Sequence, residues 1–137
     1  MTPRPQSRTI TCTRRQANLR LQHAEAFLNW AQAALSDTAA EANLNIATSM
    51  AVLAGIAASD ALCGKALGQY SRSQNHPDAV KLIQSIQPGG AELASTFRQL
   101  VGNKDNAQYA PKTMGEASAK AAVRQAVDLV NAARTRP

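Results

Sequence analysis

The amino-acid sequence predicts an all-α protein, an up-and-down bundle of four longer helices and one short helix. Two features of the composition indicate this fold class: alanine accounts for 28 of the 137 residues, and only five residues are aromatic. Alanine is the strongest helix former, whereas strands favour branched and aromatic side chains. The third observation is that apolar residues recur at helical spacing along most of the chain.

Two long helices are predicted in the first half of the chain. The first covers about residues 14–35, where apolar residues alternate at spacings of three and four. Thr38 and Glu41 have the spacing of a capping box, so the second helix should cover residues 39–67, with Gly68 as its terminator. Its centre is apolar on every side, which predicts that this helix is the spine of the bundle.

Gly55 and Gly64 lie inside the second predicted helix. A glycine there destabilises the helix by about 1 kcal/mol relative to alanine. We therefore expect another part of the chain to cross closely at each of these positions.

Three further helices are predicted in the second half. A short helix over residues 75–86 opens on Asn-His-Pro, which supplies a cap and a proline in the first turn. A fourth helix begins near residue 91 and is able to continue past Gly102 as far as residue 109. Thr113 and Glu116 form a second capping box, from which the last helix runs close to the C-terminus.

Residues 1–13 are predicted to be a disordered basic arm, and residues 14–137 a single domain. Five arginines and no acidic residue occupy the first 20 positions, and they are Arg4, Arg8, Arg14, Arg15 and Arg20. The rest of the chain is nearly balanced, so the net charge of +6 belongs mainly to the N-terminal segment. Such a block either follows a phosphate backbone or is a solvated leader.

Other sequence features exclude several classes of protein. Cys12 lies in the arm and Cys63 in the apolar helix, so no disulfide is expected and a cytoplasmic, reducing location is predicted. Charged residues, among them Asp60, interrupt the longest apolar stretch, which argues against a membrane span. His23 and His76 have no second ligand at metal spacing, and no phosphate-binding loop is present. Neither a metal nor a cofactor is expected.

A carboxylate inside the apolar helix is the main functional clue. Asp60 lies in a run that is otherwise apolar on every side, and an isolated buried charge is costly. Lys104 extends the apolar stripe of the fourth helix, so we expect Asp60 and Lys104 to meet between the helices. Ser59, Gln108 and Tyr109 would be their hydrogen-bonding neighbours. The alternative is a buried ion pair that only fixes the register of the helices.

The segment Lys104-Asp105-Asn106-Ala107-Gln108-Tyr109 carries a family resemblance. A helical bundle with this motif late in its fourth helix resembles the HEPN domains, small α-helical domains of prokaryotic toxin–antitoxin and defence systems. The resemblance covers residues 14–133, and the hexapeptide is similar to Arg-x3-Asp-Tyr-type variants of the family. Ribonuclease members carry an arginine, four to six other residues, and a histidine. Lys104 stands at the place of the arginine, and Tyr109 or Gln108 at that of the histidine.

The resemblance implies a binding function without catalysis. Histidine transfers protons near neutral pH, whereas tyrosine, with a pKa of about 10, substitutes poorly for it. We expect a non-catalytic binding or interaction module of a toxin–antitoxin, defence or RNA-related system. The resemblance also implies a homodimer, with an antitoxin, another protein or RNA as further partners and no membrane association. Phe27 and Trp30 are candidate dimer contacts, core packing being the alternative use.

Two other functions stay open. A metal-independent ribonuclease toxin would use Lys104, Tyr109 and Asp60 as its catalytic residues. Its RNA-binding residues would be Ser59, Gln108, Arg14 and Arg15. In the other alternative, nucleic acid binds to the basic arm alone, and binding weakens steeply with salt.

Overall fold

The computed structural model describes residues 9–37, 40–71 and 76–137. Residues 1–8, Thr38 and Asn75, on which predictions were made, lie outside these ranges. The described residues are predominantly helical, which confirms the predicted all-α character. The helices are α1 (Arg14–Ser36), α2 (Ala42–Leu67), α3 (His76–Gln84), α4 (Gly90–Val101), α5 (Lys104–Gln108) and α6 (Glu116–Thr135). Two short strands, β1 (Thr9–Thr11) and β2 (Gln69–Ser71), form an antiparallel pair.

Helix α2 forms the centre of the molecule. It packs against α1, α4, α5 and α6, and buried residues occur on all of its sides. Helix α2 is long and apolar enough to cross a membrane, judged by length and composition only. The sequence analysis argued against a span because charged residues interrupt the apolar stretch. In the fold, 67% of its most apolar window is buried against other elements. The apolar surface of α2 is therefore largely covered by the bundle itself.

The two glycines inside α2 lie where other elements approach closely, as predicted. A Cβ atom at Gly55 would collide with Leu100 of α4 and touch Leu129 of α6. A Cβ atom at Gly64 would lie 2.5 Å from the Cys12 sulfur. Contacts this short leave no room for a side chain, so α2 must present bare backbone at both crossings.

The N-terminal segment joins the fold earlier than predicted. Ile10 pairs with Tyr70 across the two strands, and the Cys12 amide donates to the Gly68 carbonyl at 2.9 Å. Gly68 has φ +68°, the left-handed conformation that ends α2, as predicted, and turns the chain into β2. Residues 9–13 are thus part of the structured domain, because backbone pairing and the burial of Cys12 hold them.

The caps at the first two helices differ from those expected. The Thr13 hydroxyl accepts from the Gln16 amide at 3.1 Å, and the Gln16 side chain accepts from the Thr13 amide at 2.9 Å. This capping box, which the sequence analysis missed, starts α1 at the predicted residue. Helix α2 starts three residues later than predicted, at Ala42, and Glu41 makes no side-chain cap bond.

The loop before α6 also corrects a prediction. The Asn45 side chain of α2 accepts from the Met114 amide at 2.9 Å, which ties this loop to the core. The chain then enters the helix through Gly115 in an extended conformation, without a side-chain cap. The capping box predicted between Thr113 and Glu116 is therefore wrong.

A turn separates α4 from α5. Helix α4 ends at Val101, and the Asn103 side chain donates to the carbonyls of the helix it follows. Lys104 consequently begins a new short helix instead of extending the stripe of α4. On that short helix Ala107 is buried, whereas Gln108 is exposed.

Candidate functional site

Asp60 forms an ion pair with Arg20 of α1. The Nε and Nη2 atoms of Arg20 each lie 3.0 Å from Asp60 Oδ2. In the described part of the chain this is the only ion pair of Asp60, so the predicted pairing with Lys104 is replaced by one with Arg20. The reason is that α1 lies along α2 and brings Arg20 to the aspartate.

Arg20 also connects the aspartate to a histidine. Its Nη1 atom lies 3.1 Å from His23 Nδ1. Because a guanidinium group only donates, His23 must accept through Nδ1 and carry its proton on Nε2. Arg20 is thus held at both ends of its guanidinium group, which fixes its position beside Asp60.

A cavity of about 480 Å³ lies beside this ion pair. Its apolar lining comes from Ile10, Ile56, Ala79 and Phe97. Its polar lining comes from Ser59, Asp60, Tyr70, Ser71, His76 and Lys104. The cavity thus brings together Ser59, Asp60 and Lys104, three of the predicted site residues, from α2 and α5. Its volume lies within the roughly 300–1,000 Å³ of small-molecule sites.

The other predicted site residues lie elsewhere. Tyr109 is 72% exposed, Gln108 is also exposed, and neither lines the cavity. Arg14 and Arg15 are exposed at the start of α1, where they line a separate groove with Leu19. Helix α4 ends at Val101 and α5 covers only Lys104–Gln108, so Gln108 and Tyr109 do not lie on a continuation of α4.

Sequence reasoning did not assign the other seven lining residues to the site. The pairing of β2 with β1 places Tyr70 and Ser71 there, and no local sequence pattern predicted these strands. His76, interpreted as a residue at a helix start, packs edge-on against Phe97 with ring centres 6.1 Å apart. The one available signal was the apolar stripe of the fourth helix, which correctly placed Phe97 in the interior.

Burial controls the electrostatics of the site. It raises the pKa of Asp60 from 3.8 to about 6, and the nearby Arg20 offsets this effect only in part. Burial lowers the pKa of His76, and the positive charge of Lys104 lowers it further, whereas Asp105 acts in the opposite direction. At neutral pH Asp60 is therefore mainly ionised and His76 is neutral.

Several polar groups of the cavity have no protein partner among the residues that the structure describes. Both arginine contacts of Asp60 go to Oδ2, so Oδ1 has no hydrogen bond within the described residues. Over the same ranges, Lys104 has no ion pair, and the buried Ser71 hydroxyl has no hydrogen-bond partner. Of these three groups, the Ser71 hydroxyl is the buried one, and buried polar groups are nearly always satisfied. All three are available to a ligand in the cavity.

The two cysteines are both free and buried. Burial and the nearby Asp60 raise the pKa of Cys63 to about 12, and the same causes raise that of Cys12. Because the thiolate is the reactive form, both thiols are inert at neutral pH.

Asp60 should make the protein more stable in mild acid than at neutral pH. Between pH 3.8 and about 6 the folded chain holds a proton that the unfolded chain has released. This contribution to the free energy of unfolding is complete below pH 3.8 and is lost as the pH rises through 6. The free energy of unfolding should fall by about 3 kcal/mol over this range. Urea unfolding of the wild type and Asp60→Asn, followed by circular dichroism from pH 4 to 7, checks this. The free energy of unfolding of Asp60→Asn should not show this fall between pH 4 and 7. If it changed with pH in parallel with that of the wild type, the prediction would be wrong.

Among the described residues, no group of three or more His, Cys, Asp or Glu side chains is arranged to hold a metal ion. No protein-family model, curated protein or solved structure matches this chain.

Proposed function

We propose that this chain is a HEPN-like helical-bundle protein that works as a non-catalytic binding module. The observation that carries the proposal is the cavity, which gathers Asp60, Ser59 and Lys104 without Tyr109. Unpartnered polar groups beside apolar walls suit the binding of a ligand. In the motif that carries the resemblance, the position of the family's histidine is held by Tyr109, which is exposed and lies outside the cavity.

The proposal extends to the setting of the protein. By the resemblance of its α5 segment, the module would belong to a prokaryotic toxin–antitoxin, defence or RNA-related system. A cytoplasmic location agrees with two free cysteines, since thiols persist in reducing compartments.

Purified protein should not cleave single-stranded RNA, with or without a chelator. The expectation follows because no histidine stands at the position of the family motif, and Tyr109, which stands there instead, is exposed and outside the cavity. Gel analysis of a labelled oligonucleotide measures the outcome. Cleavage by the wild type that Lys104→Ala or Tyr109→Phe abolishes would establish the alternative, a ribonuclease with a variant site.

Self-association through α1 is the second part of the proposal. Leu19, Ala26, Trp30 and Ala33 are exposed along one face of α1, with Leu19 50% and Trp30 69% accessible. Their spacing of three, four and seven residues forms a narrow helix–helix seam. Phe27, the other predicted contact, instead packs against the core.

The spacing of this seam fits an antiparallel arrangement of two copies. Leu19 and Ala33 lie seven residues to either side of Ala26. A two-fold axis at Ala26 would therefore bring Leu19 of one copy near Ala33 of the other. Such an isologous contact closes as a dimer.

Trp30→Lys should convert a dimer to a monomer. A buried lysine would lose its hydration at the interface, and the aromatic contact area would be lost. Light scattering coupled to gel filtration gives the mass directly. Tyr109→Lys, which alters an equally exposed aromatic residue, should leave the dimer intact. An identical mass for wild type and Trp30→Lys would disprove this interface.

A further inference from the structure

We propose that the cavity beside the Asp60–Arg20 ion pair binds a small aromatic monocarboxylate that carries a hydroxyl or N–H donor at its far end. The inference rests on the proposed binding function and specifies its ligand. It uses the charge, the shape and the unpartnered groups of the cavity.

The charge of the cavity selects an anion. Lys104 contributes one positive charge and has no ion pair in the described ranges, whereas Asp60 is neutralised by Arg20. Asp105, next to Lys104, is exposed and does not line the cavity. Among the described residues, Lys104 is therefore the charged side chain of the cavity without an ion pair, and it favours a ligand with a single negative charge. The carboxylate would meet the Lys104 ammonium.

The apolar walls of the cavity favour a ligand with an aromatic ring. Phe97 is 1% exposed, and its ring is held against His76. Ile10 and Ile56 complete an apolar surface on which a planar ring buries area without leaving polar atoms unsatisfied.

The remaining polar atoms select a hydrogen-bond donor. Asp60 Oδ1 accepts no bond within the described residues, and it belongs to a carboxylate already oriented by Arg20. A ligand hydroxyl or N–H would satisfy it, and a bond to a charged acceptor is stronger than one between neutral groups. The buried Ser71 hydroxyl, which also lacks a partner there, would bind a second polar atom of the ligand.

Isothermal titration calorimetry with three matched probes tests the inference. 4-Hydroxyphenylacetate has the ring, carboxylate and hydroxyl and should bind to the wild type. Phenylacetate lacks the hydroxyl, and 4-hydroxyphenethyl alcohol lacks the carboxylate, so each should bind at least about tenfold more weakly, the ratio that corresponds to about 1.4 kcal/mol. Equal affinity for the three probes, or no binding of 4-hydroxyphenylacetate, would overturn it.

Variants locate the binding within the protein. Lys104→Met should reduce the affinity for 4-hydroxyphenylacetate by about tenfold or more, and Ser71→Ala by a few-fold. Lys112→Met, at an exposed lysine outside the cavity, is the matched control and should bind like the wild type. Equal losses in both lysine variants would indicate general attraction and would overturn the proposed site. RNA cleavage, by contrast, would overturn the non-catalytic function and leave the ligand result to be judged separately.

Discussion

Gly55→Val should lower the free energy of unfolding by about 3 kcal/mol, at the upper end of the range for overpacked cores. A Cβ atom at this position would collide with the fully buried side chain of Leu100 in α4 and touch Leu129 in α6. Neither leucine is able to move away without disturbing the rest of the core. Valine adds two methyl groups to this collision and is also restricted in its rotamers within a helix.

Chemical unfolding followed by circular dichroism measures this loss. Gly102→Ala is the matched control, because its Cβ atom would lie 3.4 Å from the nearest backbone oxygens, an ordinary contact. Alanine is also the better helix former, so this variant should be as stable as the wild type or slightly more stable. If Gly55→Val were no less stable than Gly102→Ala, the close crossing of α2 with α4 would not exist.

Arg20→Met should lower the free energy of unfolding by about 3 kcal/mol at pH 7, because it leaves a buried aspartate without its counter-ion. The Asp60 side chain is only 17% exposed, so water cannot replace the guanidinium group. Methionine preserves much of the apolar stem of arginine, and the loss therefore reports mainly on the charge.

A second substitution separates the charge from the packing. Asp60→Asn removes the unpaired charge, so the double variant should be more stable than Arg20→Met alone. The loss in Arg20→Met should also shrink as the pH falls below 6, where Asp60 is protonated. Arg124→Met, at an exposed residue without an ion pair in the described ranges, is the control. Purely additive effects of the two substitutions would show that the pair is not coupled.

Local patterns were sufficient to predict most of the helical elements. The alternation of apolar residues at spacings of three and four placed α1, and continuous apolar character identified α2 as the central helix. The glycines of α2 correctly indicated close crossings, because a glycine in a helix interior requires a compensating contact. Capping patterns were less reliable, since the loop before α6 is held by Asn45 and not by its own side chains.

The candidate site was only partly predictable. Asp60 was identified from its apolar surroundings, and Lys104 and Ser59 do line the same cavity. Tyr70 and Ser71 were missed because their strand forms only by pairing with the segment before α1. Gln108 and Tyr109 were misplaced because α4 ends at Val101 and does not continue as one helix through Lys104.

By itself, the sequence determined that this protein is all-α, that α2 is its apolar centre, and that Asp60 needs a compensating group. Only the tertiary structure decided that Arg20 supplies this group and that Lys104 faces a cavity instead of pairing with Asp60. The physical reason is that a periodic pattern reports which face of a helix is buried. It does not report which neighbour that face will meet, because this depends on how distant helices pack against one another.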